Sequence, residues 1–561
     1  MNNNFNSVFK TLNNHTAQLN RNGFDLSQRV IFNSPAGALL PFFSRELSPG
    51  DSVDVSTENF IRTQPLNSAA FARLTQHVEY FFVPLHQLWS YFDQFITGVQ
   101  DLHSVQNGTS TSLSANQCPT TLPYLDLKKC VNGLDPSRND TFGYSRAKNM
   151  RRLLPLLGYG DYDGVAASTA SLSSLPVNPF RLMAYQKIFN DYYRLSDFEE
   201  SDPWSFNCDY INPFAPSVNY DLKNANPYWE RLFRLHYRAY KKDYFTAIKP
   251  SAQYTPAAIS SINSYIGVQP QFGDSHSVDS LSDKDQNNST FFKANNNTTT
   301  NQSSISVASI RNAFALDRLC RITTQAGKNF RDQMRAHYGI NTKDYRDHSV
   351  MFLGSQSQPI QIGEVVSTAN TASPTGGSAL GRIAGQGSSA MQANDGHIRY
   401  TASENGILMG IYSIVPEADY CSNFPIDKFN RKFVPADYYK PEFDELGYQP
   451  LYQSEIMTAK SYRDVQLNSA IAWQPRYMEY KTCADRVCGE MARTLKIWSI
   501  PRNLDDSVYD NISSLYINPN ITNTIAALNY NPDETADLFI CNSLVHCIKM
   551  SSMGVSGLPN L

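Results

Sequence analysis

Charge is scarce in this chain: Asp, Glu, Lys and Arg make up 18% of its 561 residues, against about 25% in ordinary soluble domains. The net charge is −3, so the whole protein is not an autonomous nucleic-acid binder, and any such role must come from a local basic patch. Long apolar runs are missing too. No window approaches the roughly 20 continuous apolar residues of a membrane span, and no membrane insertion is expected. The opening MNNNFNSVFKTLNNHTAQLNRNG is polar and lacks the apolar stretch of a secretory signal. Nine cysteines, odd in number and scattered, argue against a disulfide scaffold and for synthesis in a reducing cytoplasm. Sequons such as Asn107-Gly-Thr then carry no glycosylation meaning.

Signatures of chemistry are equally thin. There is no GxxxxGK phosphate loop, and the glycines of TGGSALGRIAGQG (Thr375–Gly387) follow no buried strand, so they read as a flexible loop. Cys483 with Cys488, and Cys541 with Cys547, lack the close His pair that a zinc site needs; Cys541 and Cys547 read as small strand residues. Carboxylates gather at Glu199, Glu200 and Asp202, and again at Asp444 and Glu445, and read as solvated loop charge. His337, His348 and His546 sit near no Ser or Cys motif that makes a triad readable. No enzyme, metal or cofactor is expected.

What replaces charge is Asn, Ser, Thr, Gln and Tyr, a neutral surface suited to contact. The densest aromatic stretch is VEYFFVPLHQLWSYFDQFITG, Val78 to Gly98. Its first half becomes apolar on both faces, as in a strand buried from both sides. Pro84 suits the first turn of a helix, and Leu85, Leu88, Trp89, Phe92, Phe95 and Ile96 then recur at helical spacing until Gly98. Leu88, Trp89, Phe92 and Phe95 are therefore candidates for core or for subunit contact.

Elsewhere the chain reads as an Asn-rich, weakly basic arm over residues 1 to about 45, then one domain over 46–561. A Pro49-Gly50-Asp51 turn opens a strand whose phase shifts near Thr57, as at a bulge or sheet corner. The stretch at about 99–175 is loop-rich. NPFRLMAYQKIFNDYYRLS is helical in spacing. Residues 201–308 form an insertion holding RLFRLHYRAYKKDYF and a polar, low-complexity end. Ser309 to Gly339 reads as one long helix capped at Ser309. GILMGIYSIVP and TLKIWSIP are strand candidates, and in ADLFICNSLVHCIKM the residues Leu538, Ile540, Leu544 and Ile548 share a face. Scattered strands, long loops and few helices predict a mainly β, antiparallel sandwich with large inter-strand insertions. On the long helix Arg311, Arg318, Lys328 and Arg335 recur at spacings of seven or ten, with Arg321 adding charge. That stripe could be solvated, pair between subunits, or face phosphates.

Taken together, SPGDSVDVSTENFIRTQPLNSAAFARLTQHVEYFFVPLHQLWSYFDQFITG, NPFRLMAYQKIFNDYYRLS, SIRNAFALDRLCR, AIAWQPRYMEYKTCADRVCGE and DLFICNSLVHCIKMSSMGVSGLP resemble, in order, the major capsid proteins of microviruses. The likeness is to the gokushovirus-like branch of these small single-stranded DNA phages, and it thins at about 99–175, 201–308 and 367–392. It implies a viral jelly roll that self-assembles into a T=1 icosahedral virion shell around single-stranded DNA, made in the host bacterial cytoplasm. It also implies other structural or scaffolding proteins as partners, and a three-fold protrusion at 201–308 that meets a host surface receptor. Asn287, Phe291, Phe292 and Asn296 are its apex candidates. Lys10, Arg21, Arg29, Arg311, Arg318, Arg321, Lys328 and Arg335 are the DNA-facing candidates. The competing reading is a bacterial glycan-binding or glycan-cleaving β-sandwich protein.

Overall fold

The computed structural model describes residues 21–66, 68–98, 103–106, 109–112, 121–127, 130, 145–160, 175–211, 231–250, 307–327, 330–341, 349–366, 383–391, 396–421, 427–444, 447–455, 470–499, 501–502 and 537–555. Ten strands form one antiparallel sheet: β1 Asn22–Asp25, β2 Gln28–Ser34, β3 Leu40–Leu47, β4 Ser52–Thr63, β5 Leu74–Pro84, β6 Met351–Val366, β7 Ile383–Met391, β8 Ile398–Thr401, β9 Gly406–Pro416 and β10 Phe539–Ser551. The spatial order is β1-β10-β4-β7-β6-β5-β9-β3, with β8 on β4 and β2 on β10. Long β6 turns the corner. Met351–Ile360 pairs with β5, and Gln361–Val366 pairs with β7. The sheet thus curls into two facing layers, the sandwich of a jelly roll.

Between the layers lie Val53, Val55 and Ile61 of β4, Val78, Tyr80 and Phe82 of β5, Tyr412 of β9, and Phe539, Cys541, Val545 and Cys547 of β10. Each large side chain here contributes about 1.5–3 kcal/mol by leaving water. Thr57 and Tyr80 join their hydroxyls across the layers, and the Cys541 thiol lies 3.4 Å from the Tyr412 hydroxyl. Every residue of β9 is buried, because its second face, with that of β5, meets a further layer. Phe81, Val83, Ile407, Met409 and Ile411 pack there against α1 (Arg146–Leu156), α2 (Phe180–Ile188) and the segment Leu232–Ile248.

The aromatic stretch sits at this junction. β5 runs through Pro84, which pairs with Gly406. The expected single helix is instead a 3-10 turn, Leu85–Gln87, and a short helix, Phe92–Thr97, ended by Gly98 at φ 65°. Leu88, Trp89 and Phe92 are buried within the chain itself, Phe95 packs partly upon them, and Ile96 is exposed.

Several expectations need correcting. β1, β2 and β3 lie in the stretch read as an arm; paired at the sheet edge, β2 needs only one apolar face, which the Asn-rich composition concealed. β4 keeps one phase: Val53, Val55, Thr57, Asn59, Ile61 and Thr63 all face inward, and Phe60 points out. Its polar inward residues mimicked a phase shift, and its register with β10 is continuous. In β10 the buried face is Phe539, Cys541, Val545 and Cys547, while Ile540 and Ile548 are exposed. The glycine stretch ends in β7, where Gly385 and Gly387 allow close approach of neighbouring chain. TLKIWSIP is no long strand: Lys496–Trp498 is a 3-10 turn, and among the described residues there the pairing is that of Pro501–Arg502 with Asp419–Tyr420. The long helix is two, α3 (Val307–Gln325) and α4 (Phe330–Tyr338), broken around Gly327 and ended by Gly339 at φ 70°.

Candidate assembly and genome-facing surfaces

The first surface is the α3–α4 hairpin. The Gln333 amide of α4 donates to the Thr323 and Gly327 carbonyls, and His337 Nε2 lies 3.1 Å from Thr323 Oγ1. The break therefore folds the helix back and divides the expected stripe. Arg311, Arg318 and Arg321 remain on one edge of α3 with Phe314, while Arg331 and Arg335 move to α4. Arg321 pairs with Asp317 at 3.2 Å. Arg311, Arg318 and Arg335 are exposed and pair with no carboxylate among the described residues. The hairpin also leaves Leu316, Leu319 and Phe330 exposed, with Phe314 at 71% and Tyr338 at 70%.

A second surface, in a stretch rich in aromatic residues, is a plate over 428–443 and 476–481. Its foundation is polar. The Lys432 ammonium sits 2.9 Å from Glu479 Oε1, and Gln449 Nε2 donates to Glu479 Oε2 at 2.7 Å. Burial opposes both charges. Their mutual attraction wins, with Gln449 helping to hold the Glu479 carboxyl below its ordinary range and Tyr480 helping to hold the Lys432 ammonium above its own. The same ammonium lies 4.1 Å from the Tyr480 ring centre and 4.8 Å from that of Phe429, a cation–π arrangement. Arg476 lies over Phe443 and Tyr477 at 5.6 and 5.7 Å. Tyr477 is left-handed at φ 60°, a conformation costing about 1–2 kcal/mol; its N–H donates to Gln449 and its ring packs on Tyr439. The outward result is a set of exposed rings: Phe429, Tyr438, Tyr439, Phe443, Tyr480 and, at 83%, Phe433.

The third surface is the outer face of β2, β10 and β4. Ile31, Phe60, Ile540 and Ile548 are exposed there, Arg62 lies 5.0 Å from the Phe60 ring, and Arg29 Nε donates to Asn542 Oδ1 at 2.8 Å. His546 meets Glu58 at 3.4 Å, and Asp54 holds His397 and Arg399 at 3.0 and 2.8 Å.

Of the remaining sequence candidates, Arg21 is exposed beside Gly50. Lys10, Lys328, Asn287, Phe291, Phe292 and Asn296 lie outside the described residues, as do His348 and Glu445. Of the carboxylates, Asp202 pairs with Arg231 at 2.8 Å, Asp444 with Lys481 at 2.9 Å, Glu199 accepts from the Leu195 N–H at 3.1 Å, and Glu200 is exposed. Among the described residues no three His, Cys, Asp or Glu side chains gather as a metal site would require. No helix among them is long and apolar enough to cross a membrane.

A double-layered antiparallel sandwich that spends its excess length on broad, exposed, aromatic and arginine-bearing faces is the build of a shell-forming protein. The comparisons agree. The chain belongs to the phage capsid protein (F protein) family, whose profile matches residues 13–120 and 156–559. It is 24% identical to "Capsid protein VP1" of Chlamydia phage 1, over 97% of this chain and 96% of that one. It is 21% identical to "Capsid protein VP1" of Bdellovibrio phage phiMH2K, over 82% and 81% of the two chains. The gokushovirus-like resemblance holds, the protein is a virion component and not an enzyme, and the glycan-binding alternative falls.

Proposed function

We propose that copies of this chain close an icosahedral T=1 shell around a single-stranded DNA genome. What carries this reading is the near full-length likeness to two phage capsid proteins, together with a sandwich that leaves large contact faces outside its own core. Assembly takes place in the host cytoplasm with other phage structural or scaffolding proteins. Residues 201–308 supply a surface protrusion toward the host receptor, with Asn287, Phe291, Phe292 and Asn296 near its apex. Cys208 and much of Leu232–Ile248, inside that span, pack in the core, and the proposed protrusion draws on the remainder.

The genome side is assigned to the basic edge of α3, with Arg29, Arg21 and Lys10 of the N-terminal stretch. Arg311 and Arg318, exposed and without carboxylate partners among the described residues, are free to meet phosphates, and Arg321, held by Asp317, adds its charge to the same edge. Charge reversal tests this directly. Particles carrying Arg318→Glu and Arg321→Glu are expected to form normally and to contain markedly less DNA, read as the 260/280 nm absorbance ratio of purified particles. Normal shells with unchanged DNA content would sink the assignment.

A further inference from the structure

The plate and the apolar side of the hairpin are two exposed faces of one chain, and neither is explained by the fold. A continuous exposed apolar patch marks an interaction site. The plate is also built rather than incidental: a buried ion pair and a left-handed Tyr477 hold its rings in place. We infer that the plate of one copy receives the α3–α4 hairpin of a neighbouring copy. This rests on the capsid reading, which already requires contacts between copies.

Chemistry favours that occupant over a copy of the plate itself. Lys432 and Arg476 already fill the faces of Tyr480 and Phe443, while Phe433 and Tyr439 are exposed with no cation over their rings among the described residues. The hairpin offers what such a face accepts: Leu316, Leu319, Phe330 and Tyr338 exposed beside the arginines of α4. Stacked guanidinium and aromatic rings are the pairing that protein interfaces enrich. Topology agrees as well. Two different patches meeting between copies make a heterologous contact, which generates a closed assembly when its rotation closes. Plate against plate would be self-complementary, a two-fold contact that a shell can hold but that cannot by itself close one. The basic edge of α3, carrying Arg311 and Arg318, stays free for the genome.

The test is site-specific photo-crosslinking in particles. A benzoylphenylalanine replaces Tyr438, or Phe443 at the rim should the first position hinder assembly. Particles are purified from cells expressing the chain with its phage's other structural proteins, using mixed isotopically light and heavy copies. Light-to-heavy crosslinks to peptides within 307–340 are expected, and Leu316→Asp with Leu319→Asp should reduce their yield at least tenfold. Crosslinks within one copy, to plate peptides, to other segments or to DNA would each overturn the inference while leaving the shell intact. Absence of any particle by sedimentation would remove the capsid reading, and this inference with it.

Discussion

Arg238→Ala is expected to destabilise the unassembled chain by about 3–5 kcal/mol, because it strands a buried charge. Glu79 faces the helical layer from β5, and its carboxylate is nearly inaccessible. Arg238 meets it through both Nη atoms at 2.8 and 3.1 Å, and the Tyr193 hydroxyl donates to it as well. The guanidinium further reaches Ser413 Oγ at 3.3 Å and lies over the Tyr193 ring. Its backbone is fixed independently, the Arg238 N–H donating to the Gly37 carbonyl at 2.7 Å. Losing the side chain therefore leaves Glu79 with one neutral donor. Urea midpoints measure the loss, and adding Glu79→Gln to Arg238→Ala should recover part of it by removing the stranded charge. His77 supplies a second readout. Burial, reinforced by the Arg238 guanidinium, pushes its imidazole down to about 4, so its titration should move upward in Arg238→Ala. A loss below about 1 kcal/mol would mean that water reaches Glu79.

Gly385→Val should cost about 3 kcal/mol or more, at the upper end for overpacking, and leave little soluble chain. Gly385 exchanges hydrogen bonds with Leu66 at 2.8 and 3.2 Å, and Ser68 and Ala69 lie against it. A Cβ at this position would lie 2.2 Å from the Ser68 carbonyl oxygen and 3.1 Å from the Ala69 Cα. Backbone cannot rotate aside as a side chain can. A Cβ at Gly23, by contrast, meets nothing within 4 Å, and Gly23→Ala should stay within about 0.5 kcal/mol. Equal soluble yields and urea midpoints for the two variants would contradict the packing described for β7.

The same glycines show where sequence reasoning loses its grip. In TGGSALGRIAGQG the pattern signals freedom, yet Gly385 and Gly387 are there because space is short. β10 misled for a related reason. Periodicity marks the face with the larger apolar residues, but the sandwich closes over Cys541, Ser543 and Cys547 while Ile540 and Ile548 point outward. In a shell protein, an outward apolar face is no contradiction, and hydrophobicity alone cannot say which side is the chain's own core. Elements that obey both local and tertiary demands were readable: the two-sided strand Val78–Pro84, GILMGIYSIVP, and the glycine stops at Gly98 and Gly339. β6 escaped notice because MFLGSQSQPIQIGEVV is polar along much of its length. Of the surfaces, the α3 arginines were visible as charge, but the fold-back at Gly327 that splits them was not. The aromatic plate had a signal in KFNRKFVPADYYKPEF, whose five rings fall at no helical or strand period. Only the buried Lys432–Glu479 pair, brought together by folding, turns them into one face.

The central claim, that this chain builds a closed shell from copies of itself, is tested most directly by electron cryomicroscopy of purified particles. Icosahedral T=1 particles whose map accepts the ten-stranded sandwich in every subunit are the result the account predicts. A chain that remains monomeric in the presence of its phage's other structural proteins, or a shell whose subunit density does not fit the sandwich, would contradict it.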